Sequence, residues 1–130
     1  MVAIEPMEAR PSLSTQLRQG DVLASACPSR GVLRHITGQW AVLILIVLQD
    51  GTLRFSELRR RIDGVSERML AQTLKHLEQD GIITRTVHAV VPPHVEYALT
   101  PLGQEAAAHV GRLADWVEVN LPQLGTAPAN

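Results

Sequence analysis

The chain has 130 residues, is 45% hydrophobic and 3% aromatic, carries one cysteine and has a formal net charge of −1. A single cysteine excludes an internal disulfide framework and a cysteine-based zinc site. So few aromatics exclude a stacking platform for single-stranded nucleic acid, and the near-neutral total means that any phosphate-binding surface must be a local concentration of positive charge.

Met1–Arg10 carries Glu5 and Glu8 and no long apolar core, unlike a secretory signal. The longest apolar run, Trp40–Leu48, is far shorter than the roughly 20 residues that cross a membrane. No membrane partner and a cytoplasmic location are expected. Residues 1–20 read as a flexible or partly helical arm, in which Ser12 would cap a short helix carrying Leu13 and Leu17, closed by Gly20. Residues 21–121 read as one domain. Its first helix is expected near 30–37, with Ser29 as cap, Val32, Leu33 and Ile36 on one side, and Gly38 as its end.

Gln39–Gln49 is apolar all round, which suits a helix buried on both sides. One side would meet the core. The other would meet either a partner subunit or more of the same chain. A buried strand is the weaker alternative, because the run is short and rich in branched side chains. Asp50-Gly51 is a turn, and Thr52–Arg54 suits a short strand. Phe55, Leu58 and Ile62 recur at helical spacing over Phe55–Ile62, and Asp63-Gly64 breaks that helix. Ser66 then caps a helix Glu67–Gln79 that buries Leu70, Leu74 and Leu77 and stops at Asp80-Gly81.

The period next changes to two. Residues 82–87 and 95–99 alternate as strands joined by His88–His94, a loop stiffened by Pro92 and Pro93. Thr100-Pro101 starts the last helix, expected to about residue 121. Its apolar stripe reads Leu102, Ala106, Val110, Leu113, Val117 and Leu121, with Trp116 beside it. At ~1.5 Å per residue it spans about 30 Å, long enough for part of the stripe to meet another chain. Residues 122–130 are expected to be a disordered tail.

The fold class is therefore mainly α with a small β-hairpin wing: a winged helix-turn-helix. Charge supports a duplex-DNA target. Residues 54–76 hold Arg54, Arg59, Arg60, Arg61, Arg68 and Lys75 against Glu57, Asp63 and Glu67. That is +3 locally in a chain totalling −1, so the remainder carries −4. With the leucines inward, Glu67, Arg68, Ala71, Gln72 and Lys75 point outward. Arg68 suits a guanine edge, Gln72 an adenine edge and Ala71 a thymine methyl. Arg54, Ser56, Arg59, Ser66 and Lys75 suit the backbone, with His88 and His94 on the wing. The plainer alternative is a solvated face with ordinary charge pairs.

The same residues resemble the HxlR-type regulators, a MarR-related branch of the winged-helix transcription factors. The matching stretches are Cys27-Pro28, Gly38-Gln39-Trp40, Arg54-Phe55-Ser56-Glu57-Leu58 and Val65-Ser66-Glu67-Arg68-Met69-Leu70. They continue in Leu74-Lys75-His76-Leu77-Glu78, Asp80-Gly81-Ile82, Pro92-Pro93-His94-Val95-Glu96-Tyr97 and Leu99-Thr100-Pro101-Leu102-Gly103. The resemblance covers about residues 21–121. It implies a homodimeric regulator on a pseudo-palindromic operator, with a helical dimerisation region from the N- and C-terminal helices, DNA read by the helix after Ser66 and backbone contact from the wing. Trp40, Leu45, Leu113, Trp116 and Val117 are the interface candidates. It also implies that Cys27 matches a cysteine some members use to sense oxidants or electrophiles. The chain departs from the family at Gln39, where lysine is common, and at His94, where arginine is common. An imidazole there would make wing contact pH-dependent.

Cys27 precedes an expected helix start with Arg30 nearby, a setting that favours the thiolate. A buried structural cysteine is the alternative. His35, His76, His88, His94 and His109 show no metal-ligand spacing along the chain, so neither a metal nor a cofactor is expected. No catalytic constellation marks an enzyme. The rival function is a winged-helix protein–protein module that does not bind DNA, and a small-molecule or oxidant effector is an expected further partner.

Overall fold

A computed structural model describes residues 12–19 and 28–125. Cys27, most of the N-terminal arm and the tail beyond Gly125 lie outside the described residues. The elements run α1 (Leu13–Arg18), α2 (Pro28–Thr37), α3 (Gln39–Leu48), β1 (Leu53–Arg54), α4 (Phe55–Arg61), α5 (Glu67–Gln79), β2 (Ile83–His88), β3 (His94–Leu99) and α6 (Pro101–Asn120). The chain divides into two units. The first ends at Arg34, and the second runs from His35.

In the first unit, Ser12 caps α1 as its residue type predicts, its Oγ accepting from Thr15 N at 3.2 Å. The start of α2 is at Pro28, two residues before the expected position. Proline fits a first helical turn because its missing N–H has no partner to lose there.

The second unit holds the core. The apolar run 39–48 is a helix, not a strand. Ala41, Ile44, Leu45 and Leu48 are buried, and Trp40, Val42, Ile46 and Val47 are partly buried against the same cluster. Among the large apolar residues of α3, only Leu43 is exposed, at 40%. The chain itself covers most of the helix, while Leu43 is exposed and Trp40, Val42, Ile46 and Val47 keep part of their surface. Leu45 in particular is 0% exposed, which corrects its place among the interface candidates: it has no surface to offer.

From α5, Leu70, Leu74 and Leu77 enter the core at the expected spacing, joined by Leu58 and Ile62 from α4 and its end. The three strands form one antiparallel sheet in the order β1-β3-β2. The strands β2 and β3 extend to His88 and His94, which face each other as the last register pair. The connection is therefore residues 89–93, shorter than the loop His88–His94 expected from sequence. The ladder continues because neither histidine lacks a backbone N–H, whereas Pro92 and Pro93 do.

Thr100 caps α6. Its Oγ1 accepts from Gly103 N at 3.0 Å and donates to the carbonyl of Gly81 at 2.7 Å. Such a cap is worth about 1 kcal/mol. One turn on, Gly103 is buried so closely that a Cβ there would lie 1.9 Å from the Ile82 carbonyl oxygen. This approach sets the rotation of α6. Gly103, Ala107 and Val110 are buried, with Ala106 partly so. Leu102, expected on the inner stripe, is instead 64% exposed. Leu113, Trp116, Val117 and Leu121 are exposed as well. Pro122 and Gln123 continue in a 3-10 turn, Leu121–Gln123, where the sequence had predicted the start of a disordered tail. Among the described residues no single helix is long and apolar enough to cross a membrane.

Candidate nucleic-acid interface

Two short helices and a connecting turn carry most of the predicted site. Between α4 and α5, Gly64 has φ +87°, a left-handed value that favours glycine. Ser66 Oγ accepts from Met69 N at 3.1 Å and starts α5 cleanly. Burying Leu70, Leu74 and Leu77 leaves Glu67, Arg68, Ala71, Gln72 and Lys75 exposed, as the periodicity predicts. Met69 is also exposed, at 42%, and the leucine pattern did not single it out. It widens the outward face by an apolar side chain.

Ser56, Arg59 and Glu67 line one open groove with Phe55 and Arg60. Arg59 Nη1 lies 3.5 Å from Glu67 Oε2, linking α4 to the first turn of α5. Both groups are more than half exposed, so the pair contributes little to stability and its arginine is free to exchange partners. Arg61 pairs similarly with Asp50 at 3.2 Å. Arg54, Arg60, Arg68 and Lys75 are exposed, and none of the ion pairs found among the described residues includes them. Four of the six positive residues are therefore unneutralised: Arg54 and Arg68 at the starts of α4 and α5, Arg60 in the last turn of α4 and Lys75 further along α5.

At the far end of α5, His35 Nδ1 is 2.6 Å from Asp80 Oδ2, and the His35 ring stacks on His76 at 4.5 Å. From the sequence, Asp80 marks only the end of α5, and His35 and His76 show no ligand spacing. Their contact joins positions 45 apart in the chain, and no local pattern signals it.

The hairpin holds a second cluster. His88 and His94 stack at 4.7 Å between centroids. Glu96, which the sequence reading did not single out, sits beneath both. His94 Nε2 lies 3.1 Å from Glu96 Oε1, and His88 Nε2 lies 3.2 Å from Glu96 Oε2. The second contact is ionic in distance but lacks hydrogen-bond alignment, so His88 Nε2 is buried without a hydrogen-bond partner. Chain spacing among the histidines gave no hint of this. The cross-strand register alone creates it. Partial desolvation would raise the Glu96 carboxyl, but the His94 hydrogen bond and the His88 charge outweigh it and hold the group below its ordinary 4.5. Its contribution to hairpin stability is thus present above that value and is lost as pH falls through the lowered one.

Comparison with known proteins places this arrangement. The family model described as HxlR-like helix-turn-helix matches residues 35–124. The HTH-type transcriptional regulator YtfH of Escherichia coli (strain K12) is 59% identical over 113 residues, covering 87% of this chain and 90% of the relative. A solved ytfH transcriptional regulator from Salmonella typhimurium is 62% identical with a TM-score of 0.73, covering 77% of this chain and 89% of that one. The redox regulator HypR in its reduced form is 39% identical with a TM-score of 0.65, covering 72% and 92%.

Proposed function

Because the chain belongs to the HxlR-like helix-turn-helix family, whose relatives are transcriptional regulators and not enzymes, we propose that it works as a homodimer on a pseudo-palindromic duplex operator. At the coarser level it is a DNA-binding transcriptional regulator with a winged-helix fold. The observation that carries the finer reading is the outward face of α5. Arg68, Ala71, Gln72 and Lys75 are exposed together on the side opposite three buried leucines. Set in the major groove, Arg68 reads guanine, Gln72 reads adenine and Ala71 meets a thymine methyl. Arg54, Ser56, Arg59, Ser66 and Lys75 hold phosphates, and the hairpin follows the backbone. Glu67 orders Arg59 and does not itself approach the phosphates, since carboxylate and phosphate repel.

Dimerisation is supported by the second half of α6. Leu113 and Trp116 are each more than half exposed, and Val117 is 39% exposed. Their spacing puts them on one helix face. Trp40 is only partly buried and completes the candidate set, without Leu45. A cytoplasmic location, where such a regulator meets its operator, belongs to the same reading.

Selection of bound sequences from a random duplex library tests the whole reading. The expected product is a two-fold-symmetric site. Binding to it should weaken with salt, with a log–log slope near −0.9 per phosphate neutralised. A protein–protein module would select no sequence and bind no duplex at low salt.

Cys27 lies outside the described residues, and the likeness to HypR supports an oxidant effector acting there. With no second cysteine in the chain, reversible oxidation gives a sulfenic acid or a disulfide to another molecule, not an internal disulfide. Diamide should lower the operator affinity of the wild-type protein and leave Cys27→Ser unchanged. An equal response in both would remove Cys27 from the mechanism.

A further inference from the structure

We propose that His88, His94 and Glu96 form a binding site for a divalent transition-metal ion on the hairpin. Each residue offers one ligand atom, and these atoms all lie within 4.8 Å of one another. His94 Nε2 lies 3.1 Å from Glu96 Oε1 and His88 Nε2 lies 3.2 Å from Oε2, so each imidazole faces its own oxygen of one carboxylate. Stacking of the two imidazoles puts their Nε2 atoms on the same side, above one carboxylate.

Proton counting points the same way. His94 faces two acceptors, the Pro92 carbonyl 3.5 Å from Nδ1 and the Glu96 carboxylate at Nε2. A neutral imidazole has one proton and can serve only one of them. That proton serves the carboxylate through Nε2–H, 3.1 Å from Oε1; a metal ion at Nε2 would replace it and leave Nδ1–H for the Pro92 carbonyl, as in histidines that ligate a metal through Nε2. His88 Nε2 is buried beside the same carboxylate with no hydrogen bond. One cation in place of that single proton would engage all three donor atoms.

The donor set selects the ion. Two imidazole nitrogens and one carboxylate suit zinc and its first-row neighbours, while magnesium and calcium prefer oxygen. One carboxylate leaves a divalent ion with a net positive charge, and three protein ligands leave a position for water or a phosphate oxygen. Across the sheet, Arg54 is the register partner of Glu96 on β1. It is exposed and forms no ion pair with Glu96, which leaves the carboxylate to the imidazoles.

Titration of the untagged, metal-free 130-residue chain with zinc chloride tests the site. The expected result is one zinc per chain, undisturbed by excess magnesium. Cobalt(II) in its place should give the intense ligand-field bands of a tetrahedral site. His88→Ala, His94→Ala and Glu96→Gln should each weaken zinc binding by more than about 100-fold, beyond the 10–100-fold usual for an outer-shell change. His109→Ala, on α6, should bind as wild type. Because the cobalt spectrum is read on the unaltered protein, a variant that fails to fold cannot decide the matter. No zinc bound per chain, or zinc bound equally by His88→Ala and wild type, overturns the proposal. The consequence for DNA rests on the proposed function: zinc should raise operator affinity in the wild type and not in Glu96→Gln. Metal binding is measured without DNA, so failure of either reading is seen separately.

Discussion

Replacing Arg68 with alanine should weaken operator binding by about 5- to 150-fold and relax the preference at a single base pair. The residue stands in the first turn of α5, exposed, with no acidic partner among the described residues. Its guanidinium is thus available for a bidentate bond to one guanine, worth roughly 1–3 kcal/mol against the wrong base. Little of that loss comes from folding, since Arg68 is exposed and belongs to none of the ion pairs among the described residues. Lys75→Ala provides the contrast. Without its ammonium on a phosphate, all duplexes should bind more weakly alike and the salt slope should fall by about one. Titrations of both variants against the selected operator and its point mutants separate the roles. If Arg68→Ala binds every duplex as the wild type does, α5 is not inserted as proposed.

Gly103→Ala should be the most damaging single methyl added to the fold. The new Cβ would lie 1.9 Å from the Ile82 carbonyl oxygen and 3.3 Å from Leu99 Cδ2. The first neighbour is backbone and cannot rotate away. That same oxygen accepts from Thr100 N at 3.0 Å, so shifting it also disturbs the α6 cap. Overpacking a tight site costs about 1–3 kcal/mol, and a backbone clash of this kind belongs at or above the upper end. In urea the midpoint should fall with little change in slope. Gly111→Ala, two turns along the same helix, should do the opposite. Its nearest neighbour would be Gln49 Oε1 at 3.9 Å, an ordinary contact, and alanine gains up to about 1 kcal/mol over glycine in a helix interior. Equal midpoints for the two variants would mean that α6 does not dock on the Ile82 carbonyl.

These two predictions differ in how far the sequence anticipated them. The α5 face is local: a leucine every three or four residues, a serine cap before it and a glycine after it specify which side chains point out. Arg68, Ala71, Gln72 and Lys75 were therefore legible. Gly103 was not, because its neighbour is a carbonyl some twenty residues earlier. The α6 stripe misled for the same reason. Leucine at 102 is a good core residue by type, yet the close approach at Gly103 turns it outward. The all-apolar α3 suggested a second, partner-facing side, and the protein covers part of that side itself, burying Leu45 and leaving Leu43 exposed.

The sequence by itself determined the element order, the caps at Ser12, Ser66 and Thr100, the inward leucines of α5 and the winged-helix class. Each depends on interactions within a turn or two of the chain, and residue type decides those. Tertiary structure alone decided the rotation of α6, the complete burial of Leu45 in α3 and the meeting of His88, His94 and Glu96. The first two follow from packing between distant segments. The third follows from register, since pairing His88 with His94 puts two imidazoles over one carboxylate, and a slip by one residue would send them to opposite faces.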